Sequence, residues 1–373
     1  MAAIITDKLK NLVVDLIKAN DSDASNKYYA AIGRSEAWND SDVSPTPLRT
    51  KAEENDFRNS MQSMKLVADV SLVIPRYNWS SGTFYSAYDD TQVGNTNAYY
   101  VINANQQVYM VLRASVSATG TAVASTVEPT GNTTGTPFKT SDGYVWKFMY
   151  SISATDANKF QSANFIPVKS IPFTNINSSV AEVEQKAIQD AAVHGQIIGY
   201  GIESAGAGYG SAPTLTVHGN GSNAAATATI SGGQVVKVEV ADSSDASLKI
   251  ASFGSGYDYA NVEVSGGGTP SKPAKIRPIL ATNGGLGHDA TIDFKASAIM
   301  FNAKPSGTET LDFVIGQDFR QVGLIKNPQT DSAGHGGNGV STAFTSSTGR
   351  ALKALNFSAV NTAFGEDLSL IHI

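Results

Sequence analysis

The chain has 373 residues, of which 16% are charged, with a formal net charge of −6 and no cysteine. A sparse, net acidic charge excludes a broad electrostatic hold on nucleic acid, and the missing thiols exclude disulfide frameworks, thiolate zinc sites and cysteine nucleophiles. Its 34 glycines, among many Ser, Thr, Asn and Ala, suit a β-rich chain of about two to three domains with many turns.

From Thr6 to Ala19, the residues Leu9, Leu12, Val13, Leu16 and Ile17 recur at helical spacing and predict an amphipathic helix that stops at Asn20-Asp21. No positive segment precedes the short apolar run at Ile4-Ile5, and no later stretch is apolar enough to span a bilayer, so neither a signal peptide nor membrane insertion is expected. A polar link leads to Tyr28 to Trp38, and then Pro45 and Pro47 bar regular pairing. The spacing of Phe57, Met61 and Met64 predicts a second helix over Ala52 to Lys65.

Val70 to Arg76, Tyr99 to Asn103 and Val108 to Ala114 read as strands, and Ser115 to Thr140 as a surface loop or arm. After the Asp142-Gly143 turn comes a strand with an aromatic face, on which Tyr144, Trp146, Phe148, Tyr150 and Ile152 alternate with Val145, Lys147, Met149 and Ser151. Burying each large side chain contributes ~1.5 to 3 kcal/mol, so the first half of the chain is expected to fold around this strand. A short helix at Thr155 to Phe160, a strand at Phe165 to Val168 and a capping box at Ser179 with Glu182 follow, the last opening a helix that runs to His194-Gly195.

Composition shifts at about Gly195, where an internal repeat begins. Ala205-Gly-Ala-Gly-Tyr209 followed by Leu215-Thr-Val217 is echoed by Phe253-Gly-Ser-Gly-Tyr257 followed by Val262-Glu-Val264. Between the copies, Ala226 to Ile230 and Val235 to Val240 predict a hairpin about Gly232-Gly233, and Ile276 to Leu280 closes the module. Each repeated tyrosine is expected to act as a peg against the following strand, with carbohydrate stacking by Tyr209, Tyr257 and Tyr259 as the alternative. Longer strands are expected at Ile292 to Phe301, Thr310 to Ile315 and Arg320 to Ile325, and an apolar segment at Ala351 to Phe357. The last six residues, Leu368-Ser-Leu-Ile-His-Ile373, match a translated transposase-adapter sequence, so the natural C-terminus is expected to be missing.

The resulting expectation is a mixed α+β, mostly β chain with antiparallel sheets. Its parts are an N-terminal α+β domain (1–194), a glycine-rich β insert of two repeats (195–285) and a C-terminal β domain (286–367).

Few residues suggest chemistry. The glycines at 206 and 208 meet Ser211 where a dinucleotide fingerprint needs a third glycine, and a strand follows instead of a helix. Gly33-Arg34-Ser35-Glu36-Ala37 lacks the second glycine of a nucleophile elbow. The five histidines show no metal spacing, and carboxylates do not recur in step with the repeat glycines as a calcium site requires. No cofactor or metal is expected.

Four motifs together resemble one family. They are Ile32-Gly-Arg-Ser-Glu-Ala-Trp38, Val73-Ile-Pro-Arg-Tyr-Asn-Trp79, Asp142-Gly-Tyr-Val-Trp146 with its continuation to Ile152, and Asp318-Phe-Arg-Gln-Val322 leading to Ile325-Lys-Asn-Pro328. In kind and order they resemble the baseplate wedge subunit called gene product eight in T-even-like contractile-tailed bacteriophages. The resemblance covers roughly residues 25 to 170 and 290 to 330 and departs from the family in the glycine-rich insert. It implies a non-enzymatic structural virion protein of the tail baseplate, assembled in the host cytoplasm. The implied state is a homodimer beside other wedge subunits, bound to neither nucleic acid nor membrane. The alternative is a tail-associated glycan-binding or glycan-cleaving protein, and cleavage would need two facing carboxylates. Trp38, Trp79 and Trp146 each sit in a motif and suit packing nodes. Arg34, Arg76 and Arg320 are candidates for ion pairs with Glu36, Asp142 or Asp318, and Tyr209 and Tyr257 complete the candidate structural residues.

Overall fold

The computed structural model describes residues 28–38, 50–67, 69–92, 94–95, 97–131, 134–171, 179–240, 252–303 and 319–326, with positions 12, 16–17, 329–330, 355–356 and 371–372. The fold is mixed α+β and mostly β, with antiparallel sheets. In chain order it begins β1 (Tyr28–Gly33), α1 (Thr50–Ser60), β2 (Met61–Leu66), β3 (Asp69–Pro75), β4 (Tyr100–Ile102), β5 (Gln107–Arg113), β6 (Phe138–Lys139) and β7 (Val145–Ser151). Then come α2 (Ala154–Phe160), β8 (Phe165–Val168), α3 (Val180–Asp190), β9 (Ile197–Ser204), β10 (Thr214–Gly219), β11 (Ser222–Ala224), β12 (Ala226–Ser231) and β13 (Gln234–Val240). The remainder is β14 (Phe253–Ser255), β15 (Ala260–Ser265), β16 (Lys275–Leu280), α4 (Ala290–Asp293), β17 (Ala298–Asn302), β18 (Gln321–Lys326), β19 (Gln329–Thr330), β20 (Leu355–Asn356) and β21 (Ile371–His372).

Two compact units result, one of Met1–Asn11 with Leu72–Ala298 and one of Leu12–Ser71 with Ile299–Ile373. The glycine-rich segment from 195 to 285 falls in the same unit as the aromatic strand. The helix expected over Thr6 to Ala19 lies almost wholly outside the described residues, as do Thr310 to Ile315 and most of Ala351 to Phe357.

In the smaller unit, β1 is the centre of a sheet ordered β2-β1-β18-β21. The helix expected to reach Lys65 ends at Ser60, and Met61 to Leu66 pair with β1 instead. A bulge explains why a helical pattern was read there. The register passes from Gly33↔Met61 to Ile32↔Ser63, and the extra residue lets Met61 and Met64 share a face despite their odd spacing. Both pack with Phe57 of α1 against Ala31 and Ile325.

The larger unit is built on β7, the centre of a sheet ordered β4-β5-β7-β6. Tyr144, Trp146 and Phe148 share one core with Tyr85, Val101, Tyr109, Val111 and Ile188 of α3. The expected single face does not extend to Tyr150. Phe148 faces Tyr109 and Tyr150 faces Val108, so Met149 is bulged out and the pattern slips. Tyr150 packs instead on Phe294, with ring centroids 5.7 Å apart, and donates its hydroxyl to the Pro167 carbonyl at 3.0 Å. The other side of β7 is covered too: Val145 and Met149 are buried, and so is Lys147 at 6% exposure.

Ser179 caps α3 as expected, its side chain accepting from the Glu182 N–H at 3.3 Å, but the helix ends at Asp190 with Ala191 as C-cap. Gly195, reached after a further turn, has φ +68 and lies against the Tyr257 backbone. The strand expected from Ile292 is delayed: Asp289 accepts from the Thr291 N–H at 2.8 Å, caps the single turn of α4, and pairing resumes only at Ala298.

The repeat is structural. Gly206 and Gly208 have φ +68 and +83, and their counterparts Gly254 and Gly256 have +63 and +75, so both copies turn through left-handed backbone open to glycine. The strands that follow pair with each other, with Leu215 opposite Val264 and Val217 opposite Val262. The hairpin of β12 and β13 turns on Gly232 and Gly233, both at positive φ as a type I′ turn requires. β16 returns to pair with β9, joining the first and last strands of the segment.

Candidate functional site

The four motifs meet in two pairs, each within one unit. In the larger unit the Asp142 carboxylate gathers the second and third motifs. Its Oδ2 accepts from the Ser125 hydroxyl at 3.1 Å and from the Thr126 and Val127 N–H groups at 2.8 and 3.0 Å. Its Oδ1 accepts from the Thr140 hydroxyl at 2.5 Å and the Tyr144 N–H at 3.4 Å. The same two hydroxyls accept from the motif tryptophans: Trp79 Nε1 reaches Ser125 Oγ at 3.1 Å, and Trp146 Nε1 reaches Thr140 Oγ1 at 3.1 Å. One carboxylate therefore links Trp79 and Trp146 through one hydroxyl each.

Partial burial pushes the Asp142 pKa up, but the hydrogen bonds from Thr140, Val127, Thr126 and Tyr144 outweigh it and hold the group below the usual carboxylate range. Around this network Tyr144 stacks on Trp146 at 5.5 Å and 21°, and Tyr85 meets both rings edge-on. Such pairs each contribute about 0.5–1.5 kcal/mol beyond area burial. Asp142 was a candidate partner for an arginine; here it organises a loop. Within the stretch expected to be a surface arm, Ser125 is completely buried because it stands between Trp79 and Asp142.

Arg76 of the second motif fastens a different turn. Its N–H and Nη1 donate to the carbonyls of Asn164 at 2.8 Å and Ser162 at 3.0 Å, and its Nε donates to Asn78 Oδ1 at 2.8 Å.

In the smaller unit the first and fourth motifs meet. Arg34, a non-glycine residue at φ +57, ion-pairs with Asp56 of α1, and its guanidinium lies 3.8 Å from the centroid of the buried Trp38 ring. Glu36 is exposed. The Arg320 N–H donates to the Gly33 and Arg34 carbonyls at 3.1 and 2.9 Å, and its Nη1 donates to the Ser35 carbonyl. Asp318 lies outside the described residues.

Tyr209 and Tyr257 are 5% and 4% exposed, whereas Tyr259 is 67% exposed. Tyr209 lies in a core with Leu215, Val235, Val238, Ala274 and Ile276, and its hydroxyl accepts from the Ala274 N–H at 2.8 Å. The Tyr257 ring lies in a slot of glycines: a Cβ on Gly219, Gly221 or Gly254 would come within 2.8, 2.4 and 2.9 Å of it. Both rings are buried, Tyr209 with Leu215 of the strand that follows it but Tyr257 among glycines that precede it, and of the sugar-stacking set only Tyr259 presents a surface.

Sequence reasoning missed two buried ionisable side chains, Asp293 and Lys147. Asp293 of α4 has no exposure and accepts from the Thr282 hydroxyl and from the Gly287 N–H at 2.7 Å. Burial pushes its pKa up to about 7, against the lowering from those bonds and from Lys147. Burial likewise brings Lys147 down to about 8, with Asp293 opposing. The only sequence signal was a lysine in an apolar strand whose second face was not known to be covered. A carboxyl near pH 7 is suited to proton transfer, but with no exposure Asp293 meets no substrate, and its bonds close the 282–287 turn. His194 and His218 are surface residues beside Asp258 and Glu263, at 3.1 and 2.8 Å. Among the described residues no group of three His, Asp or Glu side chains could hold a metal ion, and no helix is long and apolar enough to cross a membrane.

Compared with protein-family models and with curated proteins, the chain matches none.

Proposed function

We propose that this chain is a structural subunit of the baseplate wedge of a contractile phage tail, homodimeric and packed beside other wedge subunits, acting by binding. The observation that carries the reading is the set of four motifs in the family's order, whose Trp and Arg side chains fasten loops to strands: Trp79 and Trp146 through Asp142, Arg34 on Trp38 and Asp56, Arg320 on the carbonyls beside them. Residues spent on fastening suit a scaffold that must keep its shape under load. The alternative of a glycan-binding surface draws less support, because two of its three tyrosine rings are buried.

The test is twofold. The genes beside this one are expected to include other baseplate proteins, and the purified chain is expected to scatter light as a dimer at micromolar concentration and to co-purify with those neighbours. A monomer that binds none of them, or measured hydrolysis of host glycan, would overturn the reading.

A further inference from the structure

Two of the chain's three Asn-Gly pairs, Asn220-Gly221 and Asn283-Gly284, lie within the described residues, as does its one Asp-Gly pair, Asp142-Gly143. In such a pair the glycine nitrogen can attack the side-chain carbonyl carbon of the residue before it, because no Cβ hinders the approach. Whether it does depends on how the side chain is held. Asn220 is held firmly: its Oδ1 accepts from the Asp258 and Tyr259 N–H groups at 2.9 and 3.4 Å, and its Nδ2 donates to Asp258 Oδ2 at 2.8 Å. Gly221 is hemmed in against the Tyr257 ring and the Ser255 carbonyl. Asp142 is fixed by its five donors, and as an ionised carboxylate it is a poor target for a nucleophile.

Asn283 differs. It is exposed, and among the described residues neither its side chain nor either end of the Asn283–Gly284 peptide unit has a hydrogen bond. The flanks of the turn are what is fixed. The Gly285 N–H donates to the Thr282 carbonyl at 2.9 Å, and φ is negative at Asn283 and +86 at Gly284, the arrangement of a type II turn. Types I and II differ by a flip of the central peptide unit, and here the flip breaks no hydrogen bond. It carries the Gly284 nitrogen past the Asn283 side chain. The base of the turn is close-packed: a Cβ on Gly285 would lie 2.4 Å from the Val193 carbonyl oxygen and one on Gly287 2.6 Å from Ile188 Cγ2. There the Gly287 N–H closes the turn on Asp293 at 2.7 Å, and a longer backbone has no room.

We propose that Asn283 is a self-modifying site, whose conversion to isoaspartate opens the 282–287 turn. The Gly284 nitrogen, having lost its proton to solvent base, attacks Asn283 Cγ. The bond from Cγ to Nδ2 breaks, ammonia leaves with a proton from solvent, and a succinimide ring remains. Water then adds to one of the two ring carbonyls. Cleavage of the new bond between Cγ and the Gly284 nitrogen gives aspartate on the original backbone. Cleavage of the original peptide bond gives isoaspartate, in which the chain runs through Cβ and Cγ and is longer by one methylene. Water is the only co-reactant and ammonia the only product released, with no change of oxidation state. Either product puts a carboxylate where a neutral amide stood, and the isoaspartate also lengthens a turn whose base is full. The inference stands independently of the tail-subunit reading.

The test incubates the purified full chain at physiological temperature, from neutral to mildly alkaline pH, and follows both Asn-Gly sites by peptide mass spectrometry after digestion in mild acid. Methyl transfer from S-adenosylmethionine by an isoaspartyl methyltransferase counts the isoaspartate. In the folded chain Asn283 is expected to convert about tenfold faster than Asn220 or more, because Asn220 must first give up a hydrogen bond to a carboxylate. The Asn283 rate should rise with pH, since the attacking nitrogen must lose its proton. In concentrated urea, where only the shared Asn-Gly chemistry remains, the two sites should convert at similar rates. Amide exchange at Gly287 should accelerate in step with isoaspartate. Asn283→Gln, at an exposed turn tip, should show neither change, because its longer side chain closes a larger ring more slowly. Equal rates at the two sites in the folded chain, conversion of Asn283 in urea alone, or unchanged exchange at Gly287 once isoaspartate has formed would overturn the proposal.

Discussion

Replacing Asp142 tests whether one carboxylate holds the second and third motifs together. In Asp142→Ala five donors lose their acceptor: the hydroxyls of Ser125 and Thr140 and the N–H groups of Thr126, Val127 and Tyr144. A hydrogen bond to a charged group contributes about 1.5–3 kcal/mol when both partners are shielded. Here Thr126 is exposed, so water replaces the carboxylate there, and the Tyr144 contact at 3.4 Å is long. Counting the Ser125, Val127 and Thr140 bonds at the low end gives a loss of about 4.5 kcal/mol. Asp142→Asn keeps one acceptor oxygen; with it at the Oδ2 position three donors are still met without charge assistance, for a loss of about 2 kcal/mol. Urea unfolding followed by tryptophan fluorescence measures both, and the Trp79 and Trp146 emission should change together while Trp38 stays as it was. Because folding depresses the Asp142 pKa, its contribution is present above the unfolded carboxylate pKa and is lost as pH falls through the folded one, so the wild type and Asp142→Ala should converge in acid. An Asp142→Ala protein within about 0.5 kcal/mol of wild type at neutral pH, the range of ordinary surface changes, would refute the node.

Other substitutions separate packing from backbone effects. Gly221→Ala would put a Cβ 2.4 Å from the Tyr257 ring and 2.5 Å from the Ser255 carbonyl, whereas Gly210→Ala meets nothing within 4 Å. The first should cost about 3 kcal/mol in thermal or urea unfolding and the second stay within about 0.5 kcal/mol. Tyr209→Phe leaves the Ala274 N–H without its acceptor and should cost about 1–3 kcal/mol, with amide exchange at Ala274 accelerated; unchanged exchange would sink the peg. The stability from Asp293, whose pKa folding raises, is full below 3.8 and lost as pH rises through about 7, while that from Lys147, whose pKa folding lowers, is full above 10.5 and lost as pH falls through about 8. Their joint contribution should be least between those two values, and Asp293→Asn should remove the acid limb of the melting-temperature profile; a variant profile parallel to wild type there would refute the assignment.

Local signals determined a good deal of this molecule. Glycine pairs fixed the repeat, because only glycine enters the left-handed backbone at Gly206, Gly208, Gly254 and Gly256 freely, and the tyrosine after each turn has nowhere to go but inward. Alternation located β5, β7, β12 and β13, and Ser179 and Glu182 marked the start of α3. Periodicity failed where a bulge changed parity, at Met61 to Met64 and at Met149, since a single inserted residue makes a strand imitate a helix or breaks its face, and only the partner strand decides where it sits. Tertiary structure alone decided which motif meets which. Asp142 lies far in sequence from Trp79, and Arg34 far from Arg320, so nothing local reports that the second motif is tied to the third and the first to the fourth. It also decided that the second face of β7 is covered, turning Lys147 from a plausible surface residue into a buried one whose pKa desolvation lowers. Burial on a strand's second face depends on what the remaining chain lays over it, and that is set by packing across the whole unit.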